Sequence, residues 1–160
     1  ATDLRFVIVA IKLGPELERI ADQAVNIARY LLDMDGDQRF GATTELGRML
    51  ALSRAMVSDA IAAYVARDAE AAREVIDRDD EVDRLYWKTF RELLDSIVVD
   101  PSRVATAISQ ILVARFAERI ADQATNISEE VVYLVEGTPI RHMPAEHQHV
   151  KSEEEESDGS

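Results

Sequence analysis

The stretch Glu18-Arg-Ile-Ala-Asp-Gln-Ala-Val-Asn-Ile-Ala28 returns one hundred residues later as Glu118-Arg-Ile-Ala-Asp-Gln-Ala-Thr-Asn-Ile-Ser128. Nine of the eleven positions are identical, so two segments are built to one specification, as duplication produces. Both read as helices. Around the first copy, Leu13, Leu17, Ile20, Ala24, Ile27 and Leu31 recur by threes and fours, the period of a helix face that packs. The shared polar residues fall elsewhere. Glu18 and Asp22 are four apart, so their carboxylates leave one side of the helix, and Asn26 extends the row. Glu118, Asp122 and Asn126 repeat that row. At about 100° per residue each row stands roughly 140° from the middle of the apolar stripe, pointing outward or into a shallow groove.

Outward from the repeat, the chain predicts four long helices. The first runs roughly from Leu4 to Met34, is kinked by Gly14-Pro15, and ends at Asp35-Gly36-Asp37. The second runs from Thr44 to Arg67, capped by Thr43 or Thr44. The third runs from Ala69 to Val98 with Asp68 as its cap. The fourth starts at Asp100-Pro101, a cap followed by Pro at the first helical position, and stops at Gly137-Thr-Pro139. Short connections make neighbours antiparallel, so the expected fold is all-α, an antiparallel bundle. Helices two to four, residues 43–137, form one up-down-up unit, while the first, residues 1–36, repeats the fourth without a preceding pair of its own. Residues 143–160 read as a disordered acidic tail.

Composition agrees with a helical domain and narrows its chemistry. The chain has 160 residues, 47% apolar and 31% charged, with 6 Gly and 4 Pro, too few for a fold of many tight turns. It has no Cys, which excludes disulfides, thiolate metal sites and cysteine nucleophiles and suits a reducing cytoplasm. No run of about eighteen apolar residues is present, so no membrane span is expected. The first residues do not form a signal peptide. A chain that opens on Ala rather than Met reads as processed or as a fragment. The formal charge is −13. The tail from Lys151 to Ser160, with one Lys against five carboxylates, carries −4 of it and the other 150 residues −9. Such a surface repels phosphate backbones, which argues against nucleic acid as a partner, and suits cations or a basic protein.

A third acidic pair completes the set of candidates. On the third helix Ile76, Tyr86, Phe90, Leu93 and Ile97 mark a buried stripe, and Asp79 and Asp83 fall on it by spacing. Carboxylates there must open to a groove, pair with an arginine such as Arg78, Arg84 or Arg119, or hold a cation. Facing Glu118 and Asp122 on the neighbouring helix, they make a set of four whose repulsion a cation relieves. All-oxygen donors suit magnesium, manganese, calcium or oxidised iron and disfavour soft metals, with zinc the borderline candidate. The competing reading of the rows is a solvated polar face on which Arg19 and Arg119 pair locally. His142, His147 and His149 read as part of a flexible tail. His-Glu-x-x-His, Gly-x-Ser-x-Gly and phosphate-cradling glycine loops are absent, and with no nucleophile–base pair the chain does not read as an enzyme.

These residues resemble the PhoU family. Asp3-Leu-Arg-Phe-Val-Ile-Val-Ala-Ile-Lys-Leu13, with Glu18-Arg-Ile-Ala-Asp22 and Asn26-Ile-Ala28, looks like the third helix of such a protein. Phe116 to Gly137, ending Val-Tyr-Leu-Val-Glu-Gly, looks like the sixth, and Val75 to Asp83 like the acidic segment of the fifth. The resemblance covers about residues 1–142. It implies two three-helix bundles related by a pseudo-twofold axis, with the first bundle here short of about two helices. It also implies metal clusters at paired Glu/Asp-x-x-x-Asp motifs, which carries to Asp79, Asp83, Glu118 and Asp122, and in part to Glu18 and Asp22. By the same resemblance the protein works in phosphate homeostasis, coupling a phosphate ABC transporter to a sensor histidine kinase and meeting the membrane only through such partners. Ala21 and Ala121 stand where the family usually has Gly, a mild change in a helix. An unpaired first helix exposes apolar surface, so it is expected to pack on the second bundle or to form a homodimer.

Overall fold

The structure, a computed structural model, describes residues 2–34 and 44–140. The sequence-predicted tail 143–160, with His147 and His149, the preceding His142 and the Asp35-Gly36-Asp37 stop lie outside the described residues. Helix α1 spans Thr2–Asp33, α2 Thr44–Ala66, α3 Ala69–Ile76 and α4 Asp79–Val99; a 3-10 turn at Pro101–Arg103 then leads into α5, Val104–Glu136. Among the described residues there is no strand.

Local chemistry explains most of the ends. The Asp68 carboxylate accepts from the backbone N–H groups of Glu70 and Ala71, both at 3.0 Å, and so caps α3. Asp100 accepts from the Ser102 N–H at 3.0 Å and the Ser102 hydroxyl at 2.7 Å, with Pro101 opening the turn. Gly137 closes α5 with φ 77°, the left-handed conformation that suits Gly beyond a helix end. Helix α1 runs on through Pro15.

The expected third helix is in fact two. Asp77 and Arg78 form a turn between α3 and α4. Arg78 holds it, donating from Nε to the Glu74 carbonyl at 3.1 Å and pairing with Asp59 of α2 at 2.8 Å. The restart places Asp79, Asp80 and Glu81 in the first turn of α4, where the helix dipole favours negative charge. The buried face also differs from the expected one. Val75, Ile76, Asp79, Val82, Leu85, Thr89 and Leu93 are buried, whereas Tyr86, Phe90 and Ile97 are half-buried and Trp87 is exposed in edge contact with Tyr86 and Phe90.

Helix α5 is the hub, packing against α1, α2, α3 and α4. Ala107, Ala114, Ala117, Ala121 and Ala124 are all buried on it, and small side chains there let three or four helices approach one axis. Val113, Ile127, Leu46, Met49, Met56, Val75, Val82 and Leu85 fill the space between. Ion pairs show α4 running antiparallel to α2: Lys88 meets Glu45 at 2.7 Å and Arg78 meets Asp59. Helix α2 is long and apolar enough to cross a membrane by length and hydropathy alone. It carries Glu45, Arg48, Arg54 and Asp59, however, and buries Leu46, Met49, Met56 and Ala60 in the bundle core.

Helix α1 crosses α5 antiparallel. Lys12 meets Glu130 at 2.7 Å, Asn126 donates to Glu16 at 3.3 Å, and Tyr30 lies against Phe116 at 5.8 Å between centroids. These pairings put both Glu-Arg-Ile-Ala-Asp segments near the middle of the crossing. Val9, Leu13 and Gln23 of α1 are buried there. Its other sides are open, with Leu4, Val7, Ile11, Leu17, Val25 and Leu32 exposed. Ile20, Ala24, Ile27 and Leu31, with Leu50, Val57 and Ile120, line an apolar groove of about 550 Å³ between α1, α2 and α5. The apolar surface expected of an unpaired first helix is therefore present.

Candidate metal centre

The bundle brings four of the six predicted carboxylates together. Asp79 stands in the first turn of α4 on its buried face, only 5% exposed. Asp83 follows one turn on, half-buried. Glu118 and Asp122 face them from α5, both half-buried. Packing of α4 on α5 thus turns two rows spaced by four residues into a facing set, with no loop between them.

Electrostatics record how close the set is. Glu118 is raised from its ordinary 4.5 to about 7, by burial first, then by the charge of Asp122, and also by Asp83 and Asp79. Asp122 is raised from 3.8 to about 6, by burial and then by Asp79 and Asp83. Arg115 opposes the rise at both, and Arg119 at Asp122. Carboxylates that crowd a site out of water hold their protons longer, or accept a cation in place of them.

Two contacts shape the set. The Thr125 hydroxyl donates to Asp79 Oδ1 at 3.1 Å. Arg115 donates from Nη1 to Glu118 Oε1 at 2.9 Å, while Glu118 Oε2 is buried without a hydrogen-bond partner among the described residues. A buried carboxylate oxygen left unbonded is costly, and a cation supplies what it lacks. The donors are all hard oxygens, which fits magnesium, manganese, calcium or oxidised iron. Among the described residues no three carboxylate or imidazole groups already converge as ligands of one ion, so binding requires the side chains to draw inward.

The remaining predicted residues lie elsewhere. Glu18 and Asp22 are exposed on α1. Arg19 pairs locally with Glu16 at 2.8 Å. Asn126 bonds to Glu16 across the α1–α5 crossing and so leaves the row, and Asn26 is half-buried. Arg119 is exposed, and Arg115 is the arginine that pairs with Glu118. Sequence reasoning missed Arg115 and Thr125. A signal for Thr125 existed, because the two copies differ at Val25/Thr125 and Ala28/Ser128. At both, α5 carries a buried hydroxyl where α1 carries an exposed apolar side chain.

Fold and site together define a class: a duplicated helical bundle whose repeat presents acidic rows, one enclosed and one open. The chain belongs to the PhoU family, since the PhoU domain matches residues 1–31 and 46–131. A phosphate-specific transport system accessory protein PhoU homolog of Clostridium acetobutylicum is 36% identical over 140 residues, 88% of this chain and 64% of that protein. One from Pseudomonas putida is 40% identical over 89% of this chain and 56% of its own length. The crystal structure of the phosphate transport system regulatory protein PhoU from Streptococcus pneumoniae superposes with a TM-score of 0.80 at 28% identity, covering 89% of this chain and 67% of that one. PhoU from Pseudomonas aeruginosa gives 0.77 at 34% identity, covering 86% and 66%. The chain thus spans between half and two thirds of the two curated relatives.

Proposed function

We propose that this chain regulates phosphate uptake and phosphate-starvation signalling by binding partners rather than by catalysis. The observation that carries the reading is the facing set of Asp79, Asp83, Glu118 and Asp122 in a PhoU-family bundle. In this reading a divalent or trivalent cation, when bound, supplies the positive charge that draws the four carboxylates inward. The chain's own residues then fix the surface charge and the α4–α5 spacing that a partner meets. The partners are the ATPase of a phosphate ABC transporter and a sensor histidine kinase, met in the cytoplasm, and a second copy covers the open face of α1.

Titrating manganese or iron into the wild type and into the variant Asp79→Asn, Asp83→Asn, Glu118→Gln, Asp122→Asn tests the ion. Saturable binding lost in the variant is expected, and equal binding removes the metal from the reading. A second reading, a metal-independent adaptor, draws on the lack of three pre-converged ligands among the described residues. Partner capture unaffected by chelation and abolished by charge reversal at Glu18 or Glu118 favours it. Pull-down of a low-affinity phosphate carrier in place of the ABC transporter redirects the partner assignment.

A further inference from the structure

Arg115 lies one turn before Glu118 on α5, on the rim of the acidic set. Its guanidinium bonds to Oε1 of Glu118 and leaves Oε2 without a partner among the described residues, so the carboxylate is half-engaged. The pair is lopsided in exposure: the Arg115 side chain is 54% exposed and that of Glu118 15%. The arginine can therefore leave toward water at little cost, whereas the carboxylate cannot. It has a second contact already in place, the ring of Tyr86 on α4, 5.8 Å from its carbon to the ring centroid.

The repeat supplies an independent comparison. One hundred residues earlier, the position of Arg115 is held by Pro15, and the arginine nearest the open row, Arg19, turns to Glu16 instead. The arginine thus accompanies the enclosed row and not the open one. Arginine stays charged throughout the accessible pH range, so an entering cation must displace it or be repelled by it.

Resting on the cation-binding reading above, we propose that Arg115 is a resident counter-cation of the acidic set: it holds Glu118 when no metal ion is present, and yields to one by moving off Glu118 while keeping Tyr86. The arginine then sets a threshold, so that the site fills only when the free cation is abundant enough to compete.

Manganese titration by calorimetry at pH 7.5, on the wild type, Arg115→Gln, Arg115→Lys and Arg119→Gln, tests this. Arg115→Gln is expected to bind Mn2+ about two- to fivefold more tightly than wild type, the scale of one exposed ion pair. Arg115→Lys, which keeps the charge, is expected to stay near wild type, and Arg119→Gln to change less than Arg115→Gln. Without metal, Arg115→Gln is expected to melt below wild type, and Mn2+ to close the gap. Equal or weaker Mn2+ binding by Arg115→Gln overturns the counter-cation role while leaving the site standing. If neither wild type nor Arg115→Gln binds Mn2+, the cation reading fails and takes this proposal with it.

Discussion

The two copies of one sequence live in different surroundings. On α5, Glu118 and Asp122 face α4 and are half-buried, and Ala121, Ala124, Ile127 and Ser128 behind them are fully enclosed. On α1, Glu18, Asp22, Ala21, Ala24 and Ala28 are exposed, and Ile27 is half-buried at an open groove. Nine identities in eleven positions therefore fix a helix and its faces but not the environment of any side chain. The environment comes from which helices pack alongside, and only α5 has α2, α3 and α4 around it. The small residues of α1 still carry the shape of a surface made for close approach, now uncovered.

Paired substitutions at equivalent positions measure this difference directly. The largest effect belongs to the isoleucines. Ile127→Ala empties a site with no solvent access and should cost about 2–5 kcal/mol by denaturant unfolding. Ile27→Ala, at the groove, should cost well under half as much, since its surroundings are already partly wet. Equal costs break the comparison. Next come the alanines. Ala121 is fully buried, so Ala121→Leu should destabilise by roughly 1–3 kcal/mol through overpacking. Ala21→Leu points to solvent and should stay within about 0.5 kcal/mol. A large loss at Ala21 means that α1 is covered in solution, and sedimentation of the same sample tells whether a second copy covers it.

How much of this was legible beforehand divides along the same line. The helices, the Asp68 and Asp100 caps and the Gly137 stop follow from local residues whose hydrogen bonds are made within a few positions of the chain. The four carboxylates were readable because spacing by four fixes a face and short connections fix the neighbour. The break at Asp77-Arg78 was not readable, because Val75, Asp79 and Val82 keep helical spacing straight through it, and one of the contacts at the turn, the pair of Arg78 with Asp59, reaches another helix. Thr125 was missed for the same reason, its partner Asp79 lying on another helix, whereas the pair of Arg115 with Glu118 is an i,i+3 pair within one helix and was open to sequence reasoning. Each was ordinary in its own helix and acquires a role from its position beside the acidic set.

The most diagnostic effect is in pH. Burial and mutual charge raise Glu118 to about 7 and Asp122 to about 6, so the folded, metal-free protein holds these protons more tightly than the unfolded chain does. The stability they contribute is then fully present below about pH 4 and lost as pH rises through 6 and 7. Other carboxylates act in the opposite sense: Glu136, lowered by its hydrogen bond to Arg73, adds stability at higher pH that is lost on acidification. The clean quantity is therefore the difference between wild type and Glu118→Gln/Asp122→Asn, measured as melting temperature from pH 5 to 8 in the presence of a chelator. That variant should gain on wild type as pH rises and be the more stable at pH 8, because its amides neither ionise nor repel. A variant that instead loses ground on wild type as pH rises means that Glu118 and Asp122 are not crowded in the folded protein, and that enclosure by α4 is not the source of the site.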